Sequence, residues 1–396
     1  MKPAGLYASP NALAPHYSRF RVAERLLLTG HSHQAWPDVG FEAQQHAWLD
    51  AAEYVDEKWE HAFAQAERVR RGFARLLDDS DGTIALGANT HELVVRWLSA
   101  LPIRQRPRLV TTTAEFHTIR RQLDRLAEEG IAVAKVPALP ATTLAERLAR
   151  TVDDRTAAVL VSAVLYENSH LVPNLAHVLE ACRRAGAELL VDAYHALNVV
   201  PFSLRAEGLE AAFVVGGGYK YCQLGEGNCF LRVPVSRAPR PVITGWFSEF
   251  ALLPSAPAGG QVPYGFGPDR FAGATYDPTS HYRGAAVFEF FEQHDLTPTL
   301  LREVSQHQIR LLAQLFDDLD LDPAVVSRDR SVPIERIGGF VALRCPRAEA
   351  LSRRLRHDGV ATDSRGDMLR LGPAPYLSDE QLRTAVGLLG RAASSG

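Results

Sequence analysis

Between about residue 80 and residue 232 the chain alternates short β-rich runs with segments of helical length. The runs are "GTIALG", "RLVTTT", "IAVAKV", "AAVLVSAV", "AELLVDA", "AAFVVG" and "NCFLRV". Between them lie "HELVVRWLSAL", "HTIRRQLDRLAEEG", "TTLAERLART" and "NLAHVLEACRRAG". Strands joined through helices need crossover connections, and these build a mostly parallel sheet with helices on its faces. Sheets of this kind collect ligands at the carboxyl ends of their strands. The residues that follow each apolar run are therefore the first places to look for function.

Flanking segments complete an α/β organisation. Residues 233–282 hold "VPVSRAPRPV" and "LLPSAPAGGQVPYGFGPDRFAG", rich in Pro and Gly and without a helical period, which predicts long ordered loops near a site or a subunit boundary. A helical stretch from about 283, "RIGGFVALRCP", the helix "RAEALSRRLRHDG", "MLRLGP" and a last helix from Ser378 predict a small α+β domain. The reading divides the chain into an N-terminal segment (1–50), a large domain (51–282) and a small C-terminal domain (283–396).

With 46% hydrophobic and 22% charged residues, the chain can bury a substantial core. Its net charge of -3 comes without a basic run, so composition excludes a nucleic-acid or membrane-surface footprint and favours small-molecule ligands. Four cysteines, Cys182, Cys222, Cys229 and Cys345, lack zinc-site spacing and are too sparse for a disulfide framework. The proline-rich opening lacks the apolar core of a signal peptide, and the expectation is a cytoplasmic protein.

Lysine is rare here: Lys2, Lys58, Lys135 and Lys220 stand against thirty-nine arginines. Arginine serves for surface charge but stays protonated, whereas a lysine in the right surroundings becomes a neutral amine that attacks carbonyls. Lys220 follows three glycines in "VVGGGYKYCQLGEGN", one strand after Asp192 in "AELLVDAYHA". Asp192 either caps the following helix or faces a ligand from its strand end. In the second case Asp192 and Lys220 can hold the two ends of a pyridoxal phosphate, the carboxylate keeping the pyridine nitrogen protonated and the amine bonded to the aldehyde. A phosphate needs donors, and the amides near Thr90, His91 and Glu92 open a predicted helix after a strand and a glycine. Phe116 follows another strand, suited to stacking on a flat ring or to filling the core.

At this point the segments "VDAYHALNVVPF" and "GGGYKYCQLGEGN" resemble the Asp-x-x-His and Tyr-Lys-Tyr segments of kynureninase, in the class V group of fold type I pyridoxal-phosphate enzymes. "LLLTGHSHQAWP", "VSAVLYENS", "GWFSEF" and "DMLRLGPAPYLS" are similar to further family segments in the same order. The resemblance implies a PLP-dependent transferase fold, its large domain built on a mostly parallel seven-stranded sheet beside a smaller α+β domain. It implies that Lys220 is the Schiff-base lysine and proton shuttle, Asp192 the partner of the pyridine nitrogen, and Phe116 the stacking ring. His195 and Ser162 would contact the ring region. Tyr219, the His91 and Glu92 helix start, Trp246 and Thr275 would meet the phosphate, some of them across a homodimer interface. Arg370 would fork onto the substrate carboxylate, and Tyr166 would act beside the ring as acid or hydrogen-bond donor.

The glycine-rich tract after the lysine, "CQLGEGN", departs from the family's Asn-Gly-Gly-Pro-Gly, and His31 and His33 replace its Asn and Leu around Ser32. "EKWEHAFAQAERV" reads as helix where the family carries His and Gly-x-Arg-Pro-Trp. These positions shape the substrate pocket. His31 and His33 have no third ligand in view, so they are read as pocket or helix-capping residues rather than metal ligands. Cys345 ends an apolar strand, which suits burial better than the exposed persulfide cysteine of a desulfurase. The implied activity is hydrolytic or lyase cleavage of an amino-acid side chain. The alternative is another class V reaction: transamination, desulfuration, C–S cleavage or epimerisation.

Overall fold

The computed structural model describes residues 2–254 and 260–394; residues 255–259 of the Pro/Gly-rich stretch lie outside them. Its centre is a seven-stranded sheet. From edge to edge the strands are Thr83–Gly87, Cys229–Val233, Phe213–Gly217, Glu188–Asp192, Thr156–Ser162, Arg108–Thr112 and Ala132–Val136. All seven are the apolar runs of the sequence. Only Cys229–Val233 runs against its neighbours; the others are parallel, as helical crossovers require.

Both faces of the sheet are covered, which explains why the strand sequences are nearly continuous apolar stretches. Along Glu188–Asp192, Leu189 and Val191 enter one apolar layer and Leu190 the other. The helices Thr90–Ser99 and His117–Glu128 cover the second layer through Leu93, Val94, Trp97, Ile119 and Leu123. Leu144–Thr151, Leu175–Ala185, Lys58–Leu76 and Thr279–Gln293 pack on the first.

C-terminal to this lies a four-stranded antiparallel sheet in the order Asp363–Arg365, Met368–Leu371, Val341–Arg344, Ser327–Arg328, flanked by the helices Pro298–Asp318, Ala348–His357 and Asp379–Ser394. The strands Ser327–Arg328 and Asp363–Arg365 have no counterpart in the sequence reading. They are too short and too polar to show a period of two. The helix anticipated from about 283 begins at Thr279, and the described residues of the loop region before it carry two 3-10 segments, Trp246–Leu252 and Gly267–Phe271.

One long-range connection escaped the sequence altogether. Leu26–Leu27 pairs in parallel with Val360–Ala361, and Thr29 bridges to Gly372. The N-terminal segment is thereby stitched to the C-terminal sheet, and the loop that carries His31 is delivered beside Arg370. No described helix is long and apolar enough to cross a membrane.

Candidate functional site

Asp192 ends its strand directly opposite Ser162 on one side and Val215 on the other. Lys220 follows the neighbouring strand Phe213–Gly217. Two adjacent parallel strands thus release an acid and an amine at the same sheet edge, where the sequence placed them. The glycines before the lysine are required by close approach: a Cβ on Gly217 would sit 2.4 Å from the Tyr194 hydroxyl. Beyond the lysine, Gly225 has φ of +64° and lies where a Cβ would meet the Trp36 ring at 2.7 Å. That loop is fixed by Arg283, which donates to the carbonyls of Leu224 and Glu226 and stacks on Trp36.

The Lys220 amine is buried, 5% exposed, and its Nζ lies 2.6 Å from His195 Nε2. Aromatic faces surround it, with ring centroids at 4.7 Å for Tyr194, 5.2 Å for Phe116 and 5.8 Å for Tyr219. Burial brings the Lys220 pKa down to about 7; Asp192 opposes that fall and Arg370 adds to it. Burial raises the Asp192 pKa against the bond from the Tyr194 amide and the charge of Lys220. Asp192 Oδ1 accepts that amide at 2.8 Å, so the carboxylate both caps its turn and faces the amine. Burial likewise holds His195 well below the ordinary histidine range, and its Nδ1 has no hydrogen-bond partner among the described residues.

A cavity of about 460 Å³ opens over this group. Of the residues anticipated from sequence, Thr90, His91, Phe116, Ser162, Tyr166, Asp192, His195, Tyr219 and Lys220 line it. Burial pushes the Tyr219 phenol up to about 12. Tyr166 is likewise raised by burial to about 12, and its hydroxyl donates to Glu167 at 3.0 Å, so the phenol holds its proton at neutral pH.

Other anticipated residues lie elsewhere. Glu92 is turned away from the cavity because Asn89 caps the helix: Asn89 Oδ1 accepts the Glu92 amide at 2.9 Å, and the Glu92 carboxylate is held by Asn89 and Arg96. Glu92 and Thr275 line a neighbouring cavity of about 610 Å³. Trp246 sits in a separate surface depression with Val242 and Val262. His33 stacks on Tyr219 at 4.8 Å and bonds Ser32, so this pair borders the site without lining it. His31 is fully buried and bonds Asp363 through Nε2 at 2.8 Å. Burial brings its pKa down to about 4. Arg370 is 3% exposed and forks onto Asp363 through Nε (2.8 Å) and Nη2 (2.6 Å), while Nη1 donates to the Tyr166 carbonyl at 2.7 Å. Among the described residues no group of three His, Cys, Asp or Glu side chains could hold a metal ion.

Sequence reasoning missed three groups. Tyr194 supplies a ring face only two residues after Asp192. Glu115, immediately before Phe116, is buried and accepts hydroxyls from Ser162 and Thr112, each at 2.6 Å. Burial carries its pKa up to about 7 against those bonds. Asp363 had no signal beyond its distance of seven positions from Arg370.

The family model for the kynureninase C-terminal domain matches residues 301–389. An uncharacterized aminotransferase of Bacillus subtilis (strain 168), YcbU, is 22% identical over 346 residues, covering 86% of this chain and 87% of the relative. A kynureninase of Burkholderia pseudomallei (strain 1106a) is 28% identical over 266 residues, covering 62% of this chain and 61% of the relative. The alignment thus spans about three-fifths of that kynureninase's length. A mutant of C-DES with glycine covalently linked to its PLP cofactor superimposes with a TM-score of 0.80 at 18% identity, over 95% of this chain and 98% of its own. An apo cysteine desulfurase from Thermococcus onnurineus NA1 gives 0.77 at 15% identity, over 94% and 96%. The architecture is that of the fold type I enzymes, α/β with a mostly parallel seven-stranded sheet.

Proposed function

We propose that this chain, a kynureninase-like enzyme of the class V pyridoxal-phosphate group, cleaves the side chain of an amino acid by hydrolysis or elimination, with Lys220 moving the proton at the substrate α-carbon. The observation that carries the reading is the buried Lys220 amine, with a pKa of about 7, set among three aromatic faces and electrostatically coupled to Asp192.

The cofactor is pyridoxal 5'-phosphate, and the residues present fit it. Lys220 offers an amine of which about half is uncharged at neutral pH, Phe116 an aromatic face, Asp192 an acid for the ring nitrogen, and His195 an Nδ1 without a partner among the described residues. Thr90 and His91 at the helix start and the Tyr219 hydroxyl suit the phosphate. When bound, the group supplies an electrophilic aldehyde and a ring that withdraws electrons from the substrate α-carbon.

Lys220, returning to a free amine near neutrality, accepts the α-proton and redelivers it. His195 stays uncharged and holds that amine. Ser162, its hydroxyl proton committed to Glu115, presents an acceptor oxygen to the cavity. Arg370 receives the substrate carboxylate. In the hydrolytic form, water adds across the Cβ–Cγ bond of a γ-keto amino acid: the acyl carbon takes hydroxyl and leaves as a carboxylic acid, Cβ takes the proton, and alanine remains.

The functional unit is proposed to be a homodimer, with Trp246 and Thr275 of a second copy completing the phosphate site. In support, Val242, Val262 and Phe266 are 82%, 68% and 82% exposed in the single chain. The large unit over residues 51–282 carries the cavity; the segments 1–50 and 283–396 bring His31 and the Asp363–Arg370 pair behind its wall, where Arg370 bonds the Tyr166 carbonyl.

The structural likeness to C-DES and the desulfurase supports a second reading, C–S cleavage on the same cofactor. All four thiols are buried, so a persulfide relay on Cys345 is the less favoured form of it. Product analysis of the cofactor-loaded protein with γ-keto and β-substituted amino acids separates the two. Alanine plus a carboxylic acid supports hydrolysis; pyruvate or released sulfide supports elimination or desulfuration; a keto acid with cofactor left as the amine form rules out both.

A further inference from the structure

The Asp363–Arg370 pair is a part-buried salt bridge. The two residues stand directly opposite each other on antiparallel strands, and Arg370 lies over the Phe340 ring at 5.6 Å. Both oxygens of Asp363 are committed to one edge of the guanidinium, Oδ1 to Nε and Oδ2 to Nη2. His31, delivered by the N-terminal loop, donates to Oδ1 as well. That approach is possible because residue 372 is glycine: a Cβ there would lie 2.2 Å from His31 Nδ1. Burial alone would raise the Asp363 pKa, but His31 and Arg370 hold it well below the ordinary carboxylate range, so the anion is permanent at working pH.

A guanidinium has five N–H donors. Two serve Asp363 and one serves the carbonyl of Tyr166, a residue of the cavity wall. Two remain, one on each terminal nitrogen, and Arg370 is near enough to perturb Lys220, His195 and Tyr166 electrostatically. We propose that Asp363, braced by His31, is the positioning residue that fixes the plane of Arg370 so that its two remaining N–H groups receive the α-carboxylate of the substrate. The inference rests on the reading of Arg370 as the carboxylate receptor and adds a specificity determinant to it. An arginine without that brace carries the same charge but loses the fixed bidentate geometry, so binding should weaken for carboxylate-bearing ligands alone.

The test uses the cofactor-loaded protein and two probes, L-alanine and ethylamine, which differ only in the carboxylate. Binding is followed by the change in the visible absorption band, without turnover. In the unchanged protein L-alanine should bind more tightly than ethylamine, and Arg370→Ala should erase that preference. Asp363→Asn should weaken L-alanine at least tenfold and leave ethylamine within twofold. His31→Asn, which removes the brace but not the acid, should give a smaller loss of the same kind.

If Arg370→Ala erases the preference and Asp363→Asn does not, or if Asp363→Asn tightens L-alanine, the positioning role is wrong while the receptor reading stands. Equal weakening of both probes in Asp363→Asn, with a lowered Tm and cofactor content, overturns it in favour of a purely structural pair. No preference for L-alanine in the unchanged protein removes the receptor reading itself. Should Asp363→Asn fail to fold, the His31→Asn comparison decides alone: a selective loss for L-alanine supports positioning, and no selective loss overturns it.

Discussion

Nζ of Lys220 and Nε2 of His195 lie 2.6 Å apart in the interior, and burial drives both toward their uncharged forms. Two cations could not share that space, so one proton at most is held between them. An amine kept in this state near neutral pH is a nucleophile and a base, and burial, working against the charge of Asp192, is what makes it so.

Cofactor capture by the cofactor-free chain should follow that titration. Its rate, read as growth of the visible band in stopped-flow mixing, is expected to rise with pH and level off above about 7. A midpoint near 10 would falsify the assignment of a depressed amine. Stability carries the same signature: the unfolded lysine binds more protons between about 7 and its ordinary 10.5, so the stability of the cofactor-free chain rises with pH across that window. Lys220→Met should abolish the band and the slope together, and raise Tm at neutral pH by at least about 2 °C. Urea midpoints at several pH values check the slope.

Asp192→Asn keeps the shape and the bond from the Tyr194 amide but removes the negative charge. The loaded variant is expected to lose at least about 10²-fold in kcat while still binding cofactor. Activity within threefold of the parent would show that this acid does not serve the ring nitrogen.

Glu115→Gln addresses a group the sequence did not reveal. Its folded pKa is raised from 4.5 to about 7, so its share of stability is fully present below about 4.5 and is lost as pH rises through about 7. Glutamine imitates the protonated acid at every pH. The variant should flatten the decline in stability between pH 5 and 8, by up to roughly 3 kcal/mol. Parallel urea curves for parent and variant over that range would count against a neutral buried Glu115.

Val242→Asp and Val262→Asp place charge on the exposed apolar face beside Trp246. Sedimentation is expected to show the parent as a dimer and the double variant as a monomer, with cofactor retention weakened at least about tenfold, or roughly 1.4 kcal/mol. Because both side chains are solvent-exposed in the single chain, the subunit itself should keep its fold. A double variant that sediments as a dimer with unchanged cofactor content removes this face from the interface.

Much of this protein could be read along its chain. The seven apolar runs specified the central sheet, because strands buried on both faces need continuous apolar side chains and helical crossovers need length, and both are local properties. The same locality exposed Lys220 and Asp192, each one step beyond a strand. What sequence could not supply were the groups brought together by contacts between distant segments. Glu115 had its pKa carried up to about 7 only through burial, against the bonds from Ser162 and Thr112. Glu92 turned aside because Asn89 took the cap. His31, Asp363 and Arg370 met only because residues 26–29 pair with 360–361 and 372 across more than three hundred positions. Strand and helix patterns record which faces are buried, whereas desolvation and hydrogen-bond partnership depend on what the folded chain places on the other side, and that was decided by tertiary structure alone.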